Sequence, residues 1–440
     1  MSQAQKSAQG ELPAAAEVVV IGGGIIGCST AYFLAKRGLP VVLCEKGRIA
    51  GEQSSRNWGF VRQQGRDPAE VPTIMESLRI WRGLEAELEA DIGWHQGGVL
   101  YLGDSDEELS GFEDWLEIAG QHQIDSQLLS SVEVARCLPG AGRRWKAGLL
   151  TPSDGRAEPA KAAPAIAAAA ERLGARILPD CAVRTLETAA GAVTGVVTER
   201  GPIACQAVVC AAGAWSSLFS RNLGVTLPQL TVRGSVCRTV PLPEVWGGAI
   251  WYRDFGMRRR QDGGYTLAHG GVVEVEVVPD AFRFFRAFWP SFTAAHGELK
   301  LRLGRAFFDA LTTPGRWRPD QVTPFEKTRV LDPAPSRPIL ERVLASVRAA
   351  FPGLRGLKVE ERWAGMIDVT PDALPVISAV EHPRGYYLAT GFSGHGFGIG
   401  PGAGKLAAEL VMGGPTTVDV TPFRFGRFSD GTKLKPGQAF

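Results

Sequence analysis

The sequence has little net charge and no long apolar run, and each shortage excludes a class of protein. The 440-residue chain carries a formal net charge of +2, which gives no electrostatic reason to expect a nucleic-acid partner. No window approaches the apolar length that spans a bilayer. The polar first residues, MSQAQKSAQGEL, lack the apolar core of a signal peptide. These absences predict a cytoplasmic protein.

The cysteine patterns that hold metals or form disulfide frameworks are also missing. None of the cysteines forms a CxxC pair, and no histidine lies at a metal-ligand spacing from them. They are Cys28, Cys44, Cys137, Cys181, Cys205, Cys210 and Cys237. Several lie in apolar runs, which predicts buried thiols in a reducing compartment and no metal site.

What is present suits two domains. The chain is 45% hydrophobic and 21% charged, an ordinary globular composition, and it contains no internal repeat. Both ends carry a strand, a glycine-rich turn and a helix. The middle, about residues 227 to 361, is richer in aromatic residues, Arg and Pro. This arrangement predicts a domain inserted between pieces of a nucleotide-binding domain.

The N-terminal motif is a dinucleotide fingerprint in its full context. The buried run EVVVI precedes GGGIIG and an apolar-periodic helix, and LPVVLCEKG follows as a second strand. Gly22 permits the tight turn, Gly24 lets a pyrophosphate approach the backbone, and Gly27 lets helix and strand pack closely. Pyrophosphate is favoured at the helix N-terminus, and Glu45 lies where an acid accepts ribose hydroxyls.

The segment after Glu45 favours FAD over a nicotinamide cofactor. KGRIAGEQSSRNWGFVRQQ is a small, polar loop rather than another βα unit, and it can wrap a flavin dinucleotide with Ser54 and Ser55 donating to phosphate. The later stretch from ARILPD to AVVCAAGAWS predicts short strands in a meander that ends at Ala212 and Gly213.

These motifs together resemble the D-amino-acid oxidase family of flavoproteins. The resemblance rests on VVVIGGGIIG, Glu45, SSRN, AVVCAAGAWS, TPDALPVI and GFSGHGFGIG, and it covers about residues 15 to 425. Within the family the chain is most similar to the sarcosine oxidases, including their β-subunit type, and to bacterial L-amino-acid deaminases. The deaminase likeness extends through EKGRIAGEQSSR, TPFEKTRV and VEERWAGMIDVTPDALPVIS.

The resemblance implies an α/β plus α+β fold. A Rossmann-type FAD-binding domain is assembled from residues 15–90, 148–226 and 362–425. An inserted substrate domain on an antiparallel sheet takes residues 91–147 and 227–361, and residues 1–14 and 426–440 are tails. The implied reaction oxidises a C–N bond of an amino acid or secondary amine to an imine, with hydride passing to the flavin, and water then hydrolyses the imine.

The family also implies a set of FAD-binding positions at both ends of the chain. The glycine-rich loop GFSGHGFGIG is expected beside the flavin, with a helix that starts near Pro401 and whose positive N-terminus stabilises the reduced ring. The implied cofactor residues are Gly22, Gly24, Ile25, Ile26, Gly27, Glu45, Lys46, Ser54, Ser55, Arg56, Asn57, Val183, Ala212, Gly213, Trp215, Gly365, Gly391, Gly394, His395, Gly396, Phe397, Gly398 and Ile399.

Several positions depart from relatives within the family. Covalent members attach flavin through a Cys or His, but here Gly365 stands at the Cys position and Asn57 and Trp58 lie near the His position. We therefore expect non-covalent FAD. Monomeric sarcosine oxidases place a carboxylate-binding Lys where this chain has Gly398, and the deaminases place an Arg where it has Gly270.

Three residues are candidates for catalysis. Arg62 matches a family arginine that holds the substrate carboxylate, although an ion pair with Asp67 or a flavin contact is an alternative. His269 lies where some members carry an active-site histidine. His395 is either catalytic or a structural part of its loop. Asp368 either contacts the substrate amine or begins the DVTPD turn.

The electron acceptor and any partner stay open at this stage. O2, a quinone or a protein can accept the electrons, and the chain is either an enzyme by itself or a flavoprotein subunit of a larger oxidase. Aromatic residues at helical spacing in 280–311 form either an amphipathic patch at the inner face of a membrane or a lid on the substrate domain.

Overall fold

The protein is described from a computed structural model covering residues 11–295, 297 and 299–437. None of the helices within these ranges combines the length and apolar character that crossing a membrane requires. Residues 1–10 and 438–440 of the predicted tails lie outside the described residues.

A six-stranded sheet forms the centre of the first half of the fold. Its strands, in spatial order, are Val376–Ala379, Tyr386–Thr390, Ala207–Cys210, Val18–Ile21, Val41–Cys44 and Arg176–Leu178. All neighbours are parallel except the edge strand Val376–Ala379. The run VVVI is buried at every position, as expected for a parallel strand with helices on both faces. The two N-terminal strands predicted from sequence are confirmed.

The predicted meander is divided between two sheets. Its first and last strands, Arg176–Leu178 and Ala207–Cys210, extend the parallel sheet on opposite sides. The strands between them, Val183–Ala189, Ala192–Thr198 and Gly201–Ala204, form a separate antiparallel sheet. Local strand patterns did not distinguish these pairings, because register and partner are set by the tertiary fold.

A ten-stranded sheet forms the second half. Its members are Leu299–Arg302, Val273–Glu276, Leu230–Thr239, Tyr265–Ala268, Phe255–Arg259, Ala249–Tyr252, Val99–Gly103, Ala147–Thr151, Gln127–Ser130 and Val359–Val369. Two of them, Ala147–Thr151 and Val359–Val369, continue across the positions where the sequence suggested domain boundaries. Two short strands, Phe60–Val61 and Gly155–Arg156, pair antiparallel as a separate small sheet.

Helices cover the sheets and connect their strands. The α-helices are Ile25–Lys36, Gln53–Arg56, Val71–Leu88, Asp106–Gln121, Ser131–Cys137, Pro159–Arg172, Ser216–Asn222, Pro279–Arg283, Phe285–Ala295, Arg305–Thr312, Pro324–Lys327, Arg337–Ala350 and Gly396–Met412. Short 3₁₀ turns are Gly213–Trp215, Pro352–Leu354, Thr421–Phe423 and Phe425–Phe428. The last turn is packed rather than loose: Arg427, within the predicted tail 426–440, is buried and bonds the Asp372 carboxylate at 2.7 and 3.0 Å.

The C-terminal helix begins earlier than the sequence suggested. We predicted a start near Pro401, but the helix runs from Gly396 and holds Pro401 in its interior. A proline there removes one N–H and displaces a carbonyl of the preceding turn. Ser77 repairs the break, because its hydroxyl donates to Gly398 O at 2.7 Å and accepts from Gly402 N at 3.2 Å. Trp81 Nε1 also donates to Gly398 O, at 2.8 Å.

Candidate functional site

Two adjoining cavities lie in the part of the chain that the structure describes. The first encloses about 1190 Å³ and the second about 850 Å³, each including the space at its mouth. Gln53, Asn57, Ile367, Gly394 and Phe397 line both, so the cavities share a wall and a ligand in one lies beside the contents of the other.

The first cavity opens over the glycine turn at the end of the strand Val18–Ile21. Gly22 has φ +107, and a Cβ there would lie 2.5 Å from Ala211 O, so both its conformation and its packing require glycine. Ser54 Oγ accepts from Ile25 N at 2.8 Å, which places a hydroxyl at the N-terminus of the following helix. This is the end of a helix at which anions are stabilised.

Glu45 closes the next corner of the first cavity. Its Oε2 accepts from Gly23 N and its Oε1 accepts from Gly47 N, both at 2.7 Å. Burial raises the pKa of this carboxyl, and the two N–H donors offset part of that effect. Each carboxylate oxygen keeps lone pairs free to accept hydroxyl protons, which is the role the fingerprint assigns to this acid.

Most of the predicted cofactor residues line this first cavity. They are Gly22, Gly24, Ile25, Ile26, Glu45, Lys46, Ser54, Asn57, Val183, Ala212, Gly213, Trp215, Gly394, Gly396 and Phe397. Lys46 has its charge occupied by protein, because Nζ bonds Glu52 Oε1 at 2.6 Å and two backbone carbonyls.

Other predicted cofactor residues lie elsewhere. His395 and Gly398 line the second cavity, whereas Gly27, Ser55, Arg56, Gly365, Gly391 and Ile399 line neither. Arg56, for example, is buried and donates to Asp332 Oδ1 and Ala364 O.

The sequence did not reveal several side chains of the first cavity. Gln53 is the most informative, because its Oε1 is buried and has no hydrogen-bond partner among the described residues. Asp368, which the sequence singled out as a contact to the substrate amine or as the start of the DVTPD turn, lines the first cavity, where its Oδ2 accepts from Gly391 N at 2.7 Å and from Gln229 and Thr390. Asp368 therefore ties the strand Val359–Val369 to the glycine loop, and burial raises its pKa.

The first cavity fits an FAD molecule. A glycine turn faces a helix N-terminus, an acid follows the second strand, and the acceptor on Gln53 has no protein partner. These residues would hold FAD, which when bound would supply a two-electron acceptor.

The second cavity lies against the ten-stranded sheet, and all three predicted catalytic residues line it. Arg62 follows the strand Phe60–Val61, His269 follows Tyr265–Ala268, and His395 precedes the helix Gly396–Met412. Trp58, Phe60, Trp251, Val272 and Ile367 add apolar surface to the lining. The cavity therefore combines an apolar wall with a few polar groups, which is typical of small-molecule sites.

Arg62 forms no ion pair with any carboxylate in the described part of the chain. Its Nη1 donates to Gln64 O, and its guanidinium carbon lies 5.8 Å from the centroid of the Tyr101 ring. The predicted alternative, a pair with Asp67, does not occur. A half-buried guanidinium that lacks a carboxylate partner is suited to bind an anionic ligand.

His269 and His395 make different contacts. His269 Nδ1 accepts from Val272 N at 3.1 Å and from Gly271 N at 3.3 Å, and burial lowers its pKa. His395 Nδ1 lies 2.8 Å from Glu70 Oε2, with both side chains almost fully buried. Burial and the nearby charge of Arg66 lower the pKa of His395 to about 4.

Arg66 and Glu70 are the parts of this site that the sequence did not reveal. Arg66 lines the second cavity, its Nε donates to Arg62 O at 3.1 Å, and its Nη1 lies 3.8 Å from Glu70 Oε2. Burial lowers the pKa of Arg66 to about 10. Arg62, Arg66 and Glu70 are spaced four residues apart, but the helix begins only at Val71, so no helical periodicity marked them.

Two glycines in the lining of the second cavity, Gly270 and Gly398, stand where the sequence departs from the relatives. A Cβ on Gly270 would lie 2.1 Å from Tyr252 O, and one on Gly398 would lie 3.2 Å from Val61 Cα. Backbone atoms therefore leave no room for a side chain at Gly270, whereas at Gly398 the contact is only tight, and a side chain fits if the neighbouring backbone shifts by a few tenths of an ångström. Arg62 and Arg66 are the cations that remain in the lining.

Comparison with known proteins identifies the family of the chain. The profile of the family described as DAO, FAD dependent oxidoreductase, matches residues 17–410. The L-amino acid deaminase of Proteus myxofaciens, solved in complex with anthranilate, is 31% identical with a TM-score of 0.92, covering 96% of this chain and 95% of that one.

Two curated relatives extend the comparison. Mitochondrial sarcosine dehydrogenase of Mus musculus is 27% identical over 95% of this chain, which spans only 42% of that protein's length. The sarcosine oxidase subunit beta of Rhodobacter capsulatus is 24% identical over 94% of this chain and 89% of its own. The chain belongs to the DAO family of FAD-dependent oxidoreductases.

Proposed function

We propose that the protein oxidises the C–N bond of an amino acid or secondary amine to an imine, which water then hydrolyses. The observation that carries the proposal is Arg62, which lines the cavity beside the FAD site, donates to Gln64 O and has no carboxylate partner among the described residues. The proteins it resembles include a sarcosine dehydrogenase and an L-amino acid deaminase.

Within this proposal Arg62 holds the substrate carboxylate. A guanidinium binds a carboxylate through two parallel hydrogen bonds, and such a clamp fixes the substrate carbon at the wall shared by both cavities. Holding the reacting atoms in place supplies much of the rate of such a reaction. The aromatic and aliphatic lining excludes water from the same face.

Product analysis tests the proposed function. The purified protein is incubated in air, and separately with an artificial acceptor dye, with a panel of L- and D-amino acids and N-methyl amino acids. The proposal expects a 2-oxo acid with ammonia or methylamine, or an aldehyde with the remaining amine. Oxidised products without release of a nitrogen compound would overturn it.

We also propose that the FAD is bound without a covalent bond, through the fifteen predicted residues that line the first cavity. In that lining the one described Cys, His or Tyr is Cys44, which is 1% exposed. Acid precipitation should leave the flavin in the supernatant. Yellow colour retained in the washed pellet would contradict this proposal.

The division into domains remains part of the proposal. The FAD-binding portion is residues 15–90, 148–226 and 362–425, and the substrate portion is residues 91–147 and 227–361. The six-stranded sheet lies within the first set, whereas the ten-stranded sheet draws mainly on the second. Residues 1–14 and 426–440 complete the chain.

A second candidate function is a flavoprotein subunit that passes electrons to a partner protein or a quinone. It is favoured by the likeness to a sarcosine oxidase β subunit and by exposed apolar side chains on residues 279–312, which we name the apolar module. These side chains are Phe282, Phe285, Trp289, Leu301, Leu303, Phe308 and Leu311, with exposures from 48% to 74%.

The apolar module has an inner face as well. Phe284 is buried, and Phe288 and Leu299 pack on Val232, Val273 and Val369 of the ten-stranded sheet. Because Val273 also lines the second cavity, this inner face acts as the predicted lid. The outer face is the part proposed to meet a membrane surface or a partner at the inner face of a membrane.

Co-sedimentation with anionic and neutral liposomes tests the outer face. Phe282→Ser with Leu303→Ser should reduce binding of the protein to anionic vesicles, whereas Val132→Ser with Leu173→Ser, which are also exposed but lie outside the apolar module, should not. If the protein does not bind anionic vesicles at low salt, the membrane role of the outer face is excluded, and the lid and a protein partner remain as its possible roles. Gel filtration that follows flavin absorbance then shows whether a partner subunit is retained.

A further inference from the structure

His269 and His395 both line the second cavity, but protein contacts hold them in opposite tautomers. His269 Nδ1 accepts from two backbone N–H groups, so it carries no proton and Nε2 carries one. His395 Nδ1 lies on the Glu70 carboxylate at 2.8 Å, and an ionised carboxylate only accepts. His395 therefore carries its proton on Nδ1.

The Nε2 of His395 is then a bare acceptor. No protein group among the described residues bonds this atom, and it is absent from the sealed, unpartnered polar atoms of the interior. Since His395 lines the second cavity, Nε2 is the ring nitrogen open to it. Neutral histidine in solution favours a proton on Nε2, so the Nδ1–H form requires a partner such as Glu70.

The charges around His395 keep it neutral. Arg62 and Arg66 face it from the loop after Phe60–Val61, Glu70 from the start of the helix Val71–Leu88, and His395 itself precedes the positive end of its own helix. Burial and Arg66 lower the pKa of His395. Burial raises the pKa of Glu70, but contact with His395 and the charge of Arg66 lower it by more. The stable pair is a neutral imidazole and an ionised carboxylate.

We propose that Glu70 is a positioning residue that holds His395 as a neutral acceptor for an N–H of the substrate amine. This rests on the proposed function, because it requires an amine substrate beside the FAD site. Two arginines and a helix N-terminus disfavour an ammonium group here, so the substrate gives its proton to solvent before it binds. The bound amine then donates to Nε2 and keeps its lone pair for formation of the imine.

The tautomer is tested without any substrate. In the FAD-loaded protein with ¹⁵N-labelled histidine, NMR resolves the ring nitrogens of the six histidines, and His395→Gln identifies the signals of His395. We expect a protonated Nδ1 and a bare Nε2 that do not titrate above about pH 5. A proton on Nε2, or titration near the ordinary histidine pKa, would overturn the proposal and leave the proposed function untouched.

Kinetics test what the tautomer does. Glu70→Gln keeps the size of the side chain but removes its charge, so anaerobic reduction of FAD by an amine substrate should slow about 10- to 100-fold, as for loss of a hydrogen bond to a charged group. Glu76→Gln is the matched control. It removes a carboxylate that joins the same two helices, Val71–Leu88 and Gly396–Met412, through Lys405, and it should change the rate less than twofold.

A carboxylate without an amine separates positioning from a general structural role. Propionate should perturb the flavin spectrum with the same affinity in wild type and Glu70→Gln, because it contacts Arg62 and not His395. If propionate binding, FAD content and the rate with amine all fall together, Glu70 is structural and the proposal is wrong. If no amine reduces the wild type, the proposed function fails while the tautomer result stands.

Discussion

The first and second cavities are built in different ways. The first is lined by backbone and small residues from short motifs, such as GGGIIG and GFSGHGFG, whose chemistry is visible in a few consecutive letters. The second takes Arg62, His269 and His395 from three distant segments and depends on ionised side chains in the interior. A site built from the backbone tolerates little change in shape, whereas one built from charges tolerates little change in electrostatics.

The largest effect is expected from a substitution that changes the shape of the first cavity. Gly22→Val forces a strained φ of +107 and a Cβ 2.5 Å from Ala211 O. Strain of about 1–3 kcal/mol and overpacking of about 1–3 kcal/mol should weaken FAD binding by about 100-fold or more, giving colourless protein. Gly38→Ala has a similar positive φ but no neighbour within 4 Å, so it should keep its FAD.

The second largest effect is expected from a substitution of the arginine that binds the substrate carboxylate in the second cavity. Arg62→Lys keeps the charge but loses the planar fork, and kcat/KM for a carboxylate substrate should fall by about 30- to 1000-fold, equivalent to about 2–4 kcal/mol. FAD content should not change, and the matching amine without a carboxylate should lose far less. Equal losses for both substrates would show that Arg62 supports the fold or the flavin instead.

The third effect concerns pH. Asp154 accepts from Gln63 N at 2.7 Å and Gln64 N at 3.2 Å, and so it orders the turn after Arg62. Burial raises its pKa to about 6 from 3.8. Because the folded protein binds this proton more tightly than the unfolded chain, the carboxyl destabilises the fold increasingly as pH rises from about 4 to about 6.

Urea unfolding at pH 4 and at pH 7 measures the contribution of Asp154 to the free energy of unfolding. Relative to Asp154→Asn, the free energy of unfolding of the wild type should drop by about 1–3 kcal/mol between pH 4 and pH 7. Asp320→Asn, on the surface, controls for loss of one carboxyl. A difference that is the same at both pH values would contradict the raised pKa.

The smallest effect concerns Gly398 in the lining of the second cavity. Gly398→Ala places a Cβ 3.2 Å from Val61 Cα and 3.3 Å from Phe60 O, which should cost about 1 kcal/mol of stability and leave FAD bound. Gly111→Ala, inside the helix Asp106–Gln121 with open space around it, should instead stabilise by up to about 1 kcal/mol. Differential scanning calorimetry distinguishes the two signs.

The sequence predicted the first cavity better than the second for a physical reason. The turn at Gly22 and the acid at Glu45 follow from rules of local backbone geometry, and the structure brings them together. Glu70 contacts His395 across 325 positions, and no local pattern connects them. Arg62, His269 and His395 were identified through family likeness, which carried no information about their partners.

The start of the C-terminal helix was missed for the opposite reason. Pro401 follows the rule that proline occupies a first helical turn, but Ser77 and Trp81 from another helix satisfy the groups it frees. A tertiary contact thus overrides a local rule. The glycine-rich stretch consequently forms both the loop Gly391–His395 and the first turns of the helix.

Anaerobic reduction of the bound FAD tests the central claim most directly. Each α-amino acid is compared with the 2-hydroxy acid of the same side chain, which offers the same carboxylate but a C–O bond in place of C–N. The account predicts that the flavin absorbance bleaches with at least one amine and stays unchanged with its hydroxy acid. Bleaching by the hydroxy acid at a similar rate would contradict oxidation of a C–N bond as the function of this site.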